Sequence, residues 1–312
     1  MAFIPVSLVI HLALTSILSV TWAVVALRLF GIRHAAARCW ILAASILLPV
    51  GGFVAHLIYP QTCTGRAGLY PHFACLTSSA LGNAGVALLA SSLAVAMSQA
   101  LVTWAAQSRV VQRSVPLAAF DWQDPQVGAR VHQAVEDIET KVGKRPPINI
   151  TFRQGICCTL GIVHPLILVS EDLCRSLDQA ELEVALAHEM AHIARHDTGI
   201  GLASALFKAL TFFSPAAYVG IRLYMDEREK AADDLAVRIT KDPLALASVI
   251  VKVARAGGTR PGHMAANAVG AGAGRVTERV QRLLGNSESR RAKLPLVLAS
   301  IAGLVLIAVY AC

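Results

Sequence analysis

Charge is scarce in this sequence. Asp, Glu, Lys and Arg make up only 15% of its 312 residues, against 55% hydrophobic residues, and the mean hydropathy is +0.57. Such values exclude an ordinary soluble enzyme and suit a membrane protein that carries a soluble part. Acidic residues are fewer than basic ones, 20 against 28, for a net charge of +8. Much of the excess is arginine flanking apolar runs, which is the positive-inside pattern of membrane proteins, so nucleic acid is not an expected partner. None of the seven cysteines forms a CxxC pair, which excludes a cysteine-built metal site of the common type. Low-complexity tracts and solenoid repeats are also missing.

Long apolar runs are present. They cover residues 3–30, 39–59, 80–106 and 294–311, each long enough to span a bilayer as a helix. The first lacks a basic leader and is too long for a signal-peptide core, so it is expected to stay as an anchor. The third is rich in Ala, Gly and Ser, which lets helices approach closely in lipid. Arg28, Arg33 and Arg38 lie between the first two runs, Arg109 and Arg113 follow the third, and Arg290, Arg291 and Lys293 precede the fourth. With all these clusters cytoplasmic, residues 107–293 are cytoplasmic and the 60–78 loop faces outward. That loop holds Cys63 and Cys75 in an oxidising compartment, where a disulfide and two unlinked thiols are both open. His11 sits within the first run, either as a functional intramembrane group or as a neutral hydrogen-bonded side chain. The expected organisation is a three-helix membrane region at 1–106, a soluble domain at 107–293 and a last membrane helix at 294–312.

Within 107–293, Asp124 and Pro125 start a helix that Gly143 stops. Residues 148–152 and 166–169 read as strands, the second after a turn at His164-Pro165 and with an edge open to an extended peptide. Asp178 with Glu181 is a capping box that starts a further helix, expected to run to about His196-Asp197. Residues 199–224 are apolar, broken by Ser214-Pro215; the stretch either dips into the membrane or, as preferred, packs as a helix–turn–helix on that helix at the bilayer surface. Arg275 to Leu284 has the pattern of a short amphipathic helix.

The capped helix carries His188-Glu189-Met190-Ala191-His192. Residues four apart share a helix face, so His188 and His192 can grip one metal ion. Zinc suits imidazole ligands, and HExxH on a helix is the signature of zinc metalloproteases, with the glutamate, here Glu189, as general base. His196 is expected on the same face. A third histidine of the metzincin type would stand at position 198, where the chain has Thr198. The third ligand therefore comes from elsewhere. The charged run from Asp226 to Asp234 puts Glu229 and Asp233 on one face of a later helix. Glu229 completes a His-His-Glu set, with Glu227 as its rival, and Asp233 is placed to accept from the free ring nitrogen of a ligand histidine. Cys157 and Cys158 read as small buried fillers.

The run from His188 to Asp197, then Phe212-Phe213-Ser214-Pro215, then Glu227-Arg228-Glu229 with Asp233-Asp234, resembles the BlaR1/MecR1-type membrane metallopeptidases, the M56 family. Gly161 to Val169 is similar to that family's strand before the metal helix. The resemblance implies a mainly α, multi-pass membrane protein with about four transmembrane helices and a cytoplasmic α+β gluzincin-like metalloprotease domain between the third and fourth. It implies Zn2+ as cofactor and regulated proteolysis of a protein or peptide substrate, such as a cytoplasmic repressor or the chain itself. Ala232 departs from a frequent Cys of the family and points toward the Ste24/HtpX-type (M48) proteases of quality control. The sequence ends at Cys312, just after the fourth run, so the penicillin-binding sensor of the antibiotic receptors is not carried over. A non-catalytic, zinc-stabilised transducer is the remaining alternative, and the presence of Glu189 argues against it.

Overall fold

The computed structural model describes residues 4–58, 69–257, 272–285 and 293–311, with side-chain surroundings for 12–49, 51, 87, 90–255, 274–285 and 293–307. The His11 side chain and any Cys63–Cys75 pairing lie outside the described residues. The chain is mainly helical and divides into two compact units.

The first unit comprises residues 1–103, 200–228 and 290–312. Helices α1 (Ile4–Leu29), α2 (Ala35–Ile58) and α11 (Leu294–Ala311) pack pairwise on one another. Small residues let them approach. A Cβ on Gly303 would fall 2.4 Å from the Trp22 ring, and one on Gly220 would fall 2.8 Å from Val20. The Trp22 indole donates to the Ser300 carbonyl at 3.0 Å. Leu12–Leu29 is long and apolar enough to cross a membrane, and Ala35–Pro49 and Leu294–Ile307 are shorter apolar stretches. α3 (Leu69–Gln112) is a single long helix. α7 (Asp197–Leu210) and α8 (Pro215–Thr240) flank the Ser214-Pro215 break, Pro215 sitting at the first helical position where its missing N–H costs nothing. Within this unit Phe207, Ala217 and Tyr224 are buried in the same cluster as Ile41, Leu42 and Ile46, and Ser214 hydrogen-bonds Ser16 at 2.9 Å. Apolar periodicity shows that a face is buried but not against what.

The second unit comprises residues 104–199 and 229–289. Its sheet has the order β1 (Val115–Pro116), β2 (Ile148–Thr151), β4 (Leu166–Ser170), β3 (Cys157–Leu160). β2 and β4 are parallel, and β1 and β3 are antiparallel to their neighbours. β4 is thus paired on both sides, which corrects the expectation of an open edge there; the edges are β1 and β3. The β3–β4 turn needs Gly161, whose φ is +85° and whose missing Cβ would lie 2.4 Å from the His164 carbonyl oxygen. α4 (Pro125–Val142) starts where Asp124 accepts from the Gln126 amide and ends at left-handed Gly143.

α6 (Gln179–Ala194) carries the HExxH residues. Its N-terminus is a full capping box: Asp178 accepts from the Glu181 amide and Glu181 from the Asp178 amide, each at 2.9 Å. Buried Glu181 also takes hydrogen bonds from Ser248 and Lys252 of α9 (Pro243–Gly257), both at 2.6 Å, so the helix start is tied to its neighbour. α6 packs against α4, α9 and β3. It ends two residues earlier than the sequence suggested. His196 turns left-handed (φ 56°), is exposed, and leaves the helix face that it was expected to share with His192.

Candidate metal centre

All the groups that follow belong to the second unit. On α6, His188 and His192 point their Nε2 atoms at each other across 3.2 Å, with rings nearly perpendicular at 88°. From α8, Glu229 brings Oε2 to 3.7 Å from His188 Nε2 and Oε1 to 3.9 Å from His192 Nε2. One donor atom from each residue lies within 4.8 Å of the others, a grouping able to hold a metal ion. Tetrahedral zinc with bonds of about 2.0–2.1 Å holds its donors about 3.3 Å apart. The two imidazoles already have that spacing, and the carboxylate needs to close by about 0.5 Å. The donor set, two neutral nitrogens and one carboxylate oxygen, is that of catalytic zinc sites.

The remaining ring nitrogens are held from behind. His192 Nδ1 hydrogen-bonds Asp197 Oδ2 at 2.7 Å, and Arg195 Nε donates to the same oxygen at 3.2 Å. His188 Nδ1 lies 3.2 Å from Asp233 Oδ1, close enough for attraction but off the line of a hydrogen bond. Asp233 is fully buried and takes a two-pronged hydrogen bond from Arg279 of α10 (Gly272–Leu284), Nε to Oδ2 at 2.9 Å and Nη2 to Oδ1 at 2.7 Å. Arg279 Nη1 is also 3.4 Å from Glu229 Oε2. Burial would raise the Asp233 carboxyl, but His188 and Arg279 override it and hold it down at about 2. Burial would likewise lower His188, yet Asp233 and Glu229 push it up to about 9. With no metal bound, a proton on His188 balances the surrounding carboxylates.

Glu189 is buried, and its Oε2 accepts from the Thr159 hydroxyl at 2.8 Å. That hydroxyl is also 3.1 Å from the Glu189 carbonyl oxygen, so β3 holds both the side chain and the backbone of this residue. Burial, then the charge of Glu189, pushes the Cys157 thiol well up and Cys158 to about 12. Both stay protonated at neutral pH and do not offer thiolate ligands.

Of the residues singled out in the sequence, the structure brings His188, Glu189, His192, Glu229 and Asp233 into one cluster. It leaves out Glu227, which pairs with Arg38 at 3.1 Å in the first unit, and His196 and His164, which are exposed. Sequence reasoning missed Thr159, Asp197 and Arg279 as partners. Asp197 stands five residues beyond His192, outside helical spacing, and reaches it only because His196 reverses the chain. Arg279 follows Asp233 by 46 positions with no local signal linking them.

A protease HtpX homolog of Pelotomaculum thermopropionicum is 48% identical to this chain over 52 residues, a match covering 16% of the chain and 18% of that relative. The family model described as BlaR1 peptidase M56 matches residues 77–283, more than half of the chain and the whole of the cluster above. The protein therefore belongs to the BlaR1-type M56 peptidase family, a family of membrane metallopeptidases.

Proposed function

We propose that the protein is a multi-pass membrane zinc metalloendopeptidase. His188, His192 and Glu229 are its metal ligands and Glu189 its general base. The observation that carries this reading is the convergence of three zinc-type donors beside a buried carboxylate that makes no ion pair among the described residues. Zinc, when bound, polarises the scissile carbonyl and acidifies a water. Glu189 takes the proton of the attacking water and delivers it to the leaving amine. Thr159 keeps one Glu189 oxygen occupied and so aims the other. Asp197 orients the His192 imidazole by a hydrogen bond, fixing the tautomer that leaves Nε2 free to bind metal, and the Asp233 charge lies beside the matching nitrogen of His188. β3, the strand that touches Glu189, is also one of the two sheet edges, and an extended substrate pairing with it would run past the base.

The arginine clusters support a cytoplasmic peptidase domain and four membrane spans, and the family supports regulated proteolysis of a cytoplasmic repressor or of the chain itself. The test separates metal binding from chemistry. His188→Ala is expected to lose zinc and cleavage together. Glu189→Gln keeps the ligands, so it should retain zinc while losing about 10²–10⁴ in rate. Metal analysis beside cleavage of a peptide library reads both. Wild-type cleavage by Glu189→Gln would remove the proposed mechanism and leave a zinc-stabilised transducer as the better account.

A further inference from the structure

We infer that the cleft at the C-terminal end of α3 binds the phosphate of an anionic lipid headgroup. The open cleft, about 570 Å³ in volume, is lined by Ala106, Arg109 and Val110 of α3, by Arg113 just beyond its end, and by Thr151, Phe152 and Arg153 at the end of β2. Arg109 and Arg113 are four residues apart and share a helix face. Arg153 comes from a turn fixed by its own amide, which donates to Thr151 Oγ1 at 3.2 Å. Five other arginines of the second unit pair with carboxylates, Arg145 with Glu139, Arg175 with Glu171, Arg195 with Asp197, Arg279 with Asp233 and Arg282 with Asp234, and Arg130 donates to the Leu177 carbonyl at 2.5 Å. Among the described residues, the three that line the cleft have no acidic partner.

Three like charges brought to one concavity repel unless an anion joins them, and the guanidinium fork matches phosphate geometry. Beside Thr151, the rest of the lining is apolar: Ala106, half-buried Val110 and the exposed ring of Phe152. Trp104 lies exposed five residues before Arg109, after exposed Leu101 and Val102. An apolar stretch, then an exposed aromatic, then arginines is the order found where a helix leaves a bilayer on the side of anionic lipid. That sequence of surfaces selects a lipid phosphate over a soluble one. The inference rests on the proposed membrane placement of α3 but not on the peptidase chemistry.

The full chain in a neutral detergent, analysed by native mass spectrometry with short-chain phosphatidylglycerol, phosphatidylcholine or inorganic phosphate, provides the test. Phosphatidylglycerol is expected to bind in preference to phosphatidylcholine, and Arg153→Gln should weaken it about fivefold, the contribution of one arginine near a charged lipid surface. The combined Arg109→Gln, Arg113→Gln and Arg153→Gln variant should lose the preference. Equal binding of the two lipids, or an Arg153→Gln chain that binds as the wild type does, overturns the site. Inorganic phosphate that displaces phosphatidylglycerol at equal concentration overturns the lipid assignment alone and makes the ligand a soluble anion.

Discussion

At the scale of single residues, the two glutamates of α8 make the sharpest contrast. Glu229 faces two imidazoles, while Glu227 is engaged by Arg38. Zinc content measured after dialysis should fall sharply in Glu229→Ala, where three ligands become two, and stay near the wild-type level in Glu227→Ala. The reverse result would move the ligand by two positions. The titrating groups give a second expectation, for the metal-stripped protein. His188 is raised from 6.5 to about 9, so its contribution to stability is complete below about pH 6.5 and fades as pH rises through about 9. Asp233 is lowered from 3.8 to about 2, so its contribution is present above about pH 3.8 and lost as pH falls toward 2. Melting temperature in chelator should therefore be highest between those limits. Because the His188 proton must leave before the nitrogen can bind metal, zinc affinity should rise with pH across the same upper range. A zinc affinity independent of pH would contradict this picture. The ligand residues were legible because helical spacing puts them on common faces. Asp197 and Arg279 were not, since a left-handed turn at one and a separate helix at the other make those contacts.

At the scale of elements, caps and breaks could be read directly. Asp124 with Pro125, Gly143, the Asp178–Glu181 box and Ser214-Pro215 each act within a few residues, and each stands at the helix end it suggested. Strand pairing is a different matter. β3 has no alternation, with all four residues half-buried, and exists because β4 lies beside it. Nothing local told that β4 would be interior, so the open edge was assigned to the wrong strand. Of the two edge strands, β3 carries Thr159. Thr159→Val keeps the shape of the side chain and removes the hydroxyl that holds Glu189. A hydrogen bond to a charged group contributes about 1.5–3 kcal/mol, so kcat should fall by about ten- to a hundredfold. Zinc content should not change, and Thr159→Ser should recover much of the loss. A Thr159→Val protein with full activity would mean that β3 merely lies beside the base.

For the whole molecule, the distribution of arginine sets the expected topology. A reporter fused after residue 120 should read cytoplasmic and one within 60–78 external. The opposite pattern would reverse the proposed orientation and, with it, the leaflet in which the arginine cleft finds its lipid. The second unit is discontinuous in the chain, since residues 200–228 belong to the first. Any soluble fragment cut from Trp104 to Ser289 keeps that excursion while losing α1, α2 and α11. It would bare Phe207, Ala217 and Tyr224, now buried with them, beside Leu202, Leu206, Phe212 and Val219, which are exposed already. Recombinant fragments of that kind should precipitate, and a well-behaved one needs 200–228 replaced by a polar bridge that still delivers Glu229 to His188 and His192.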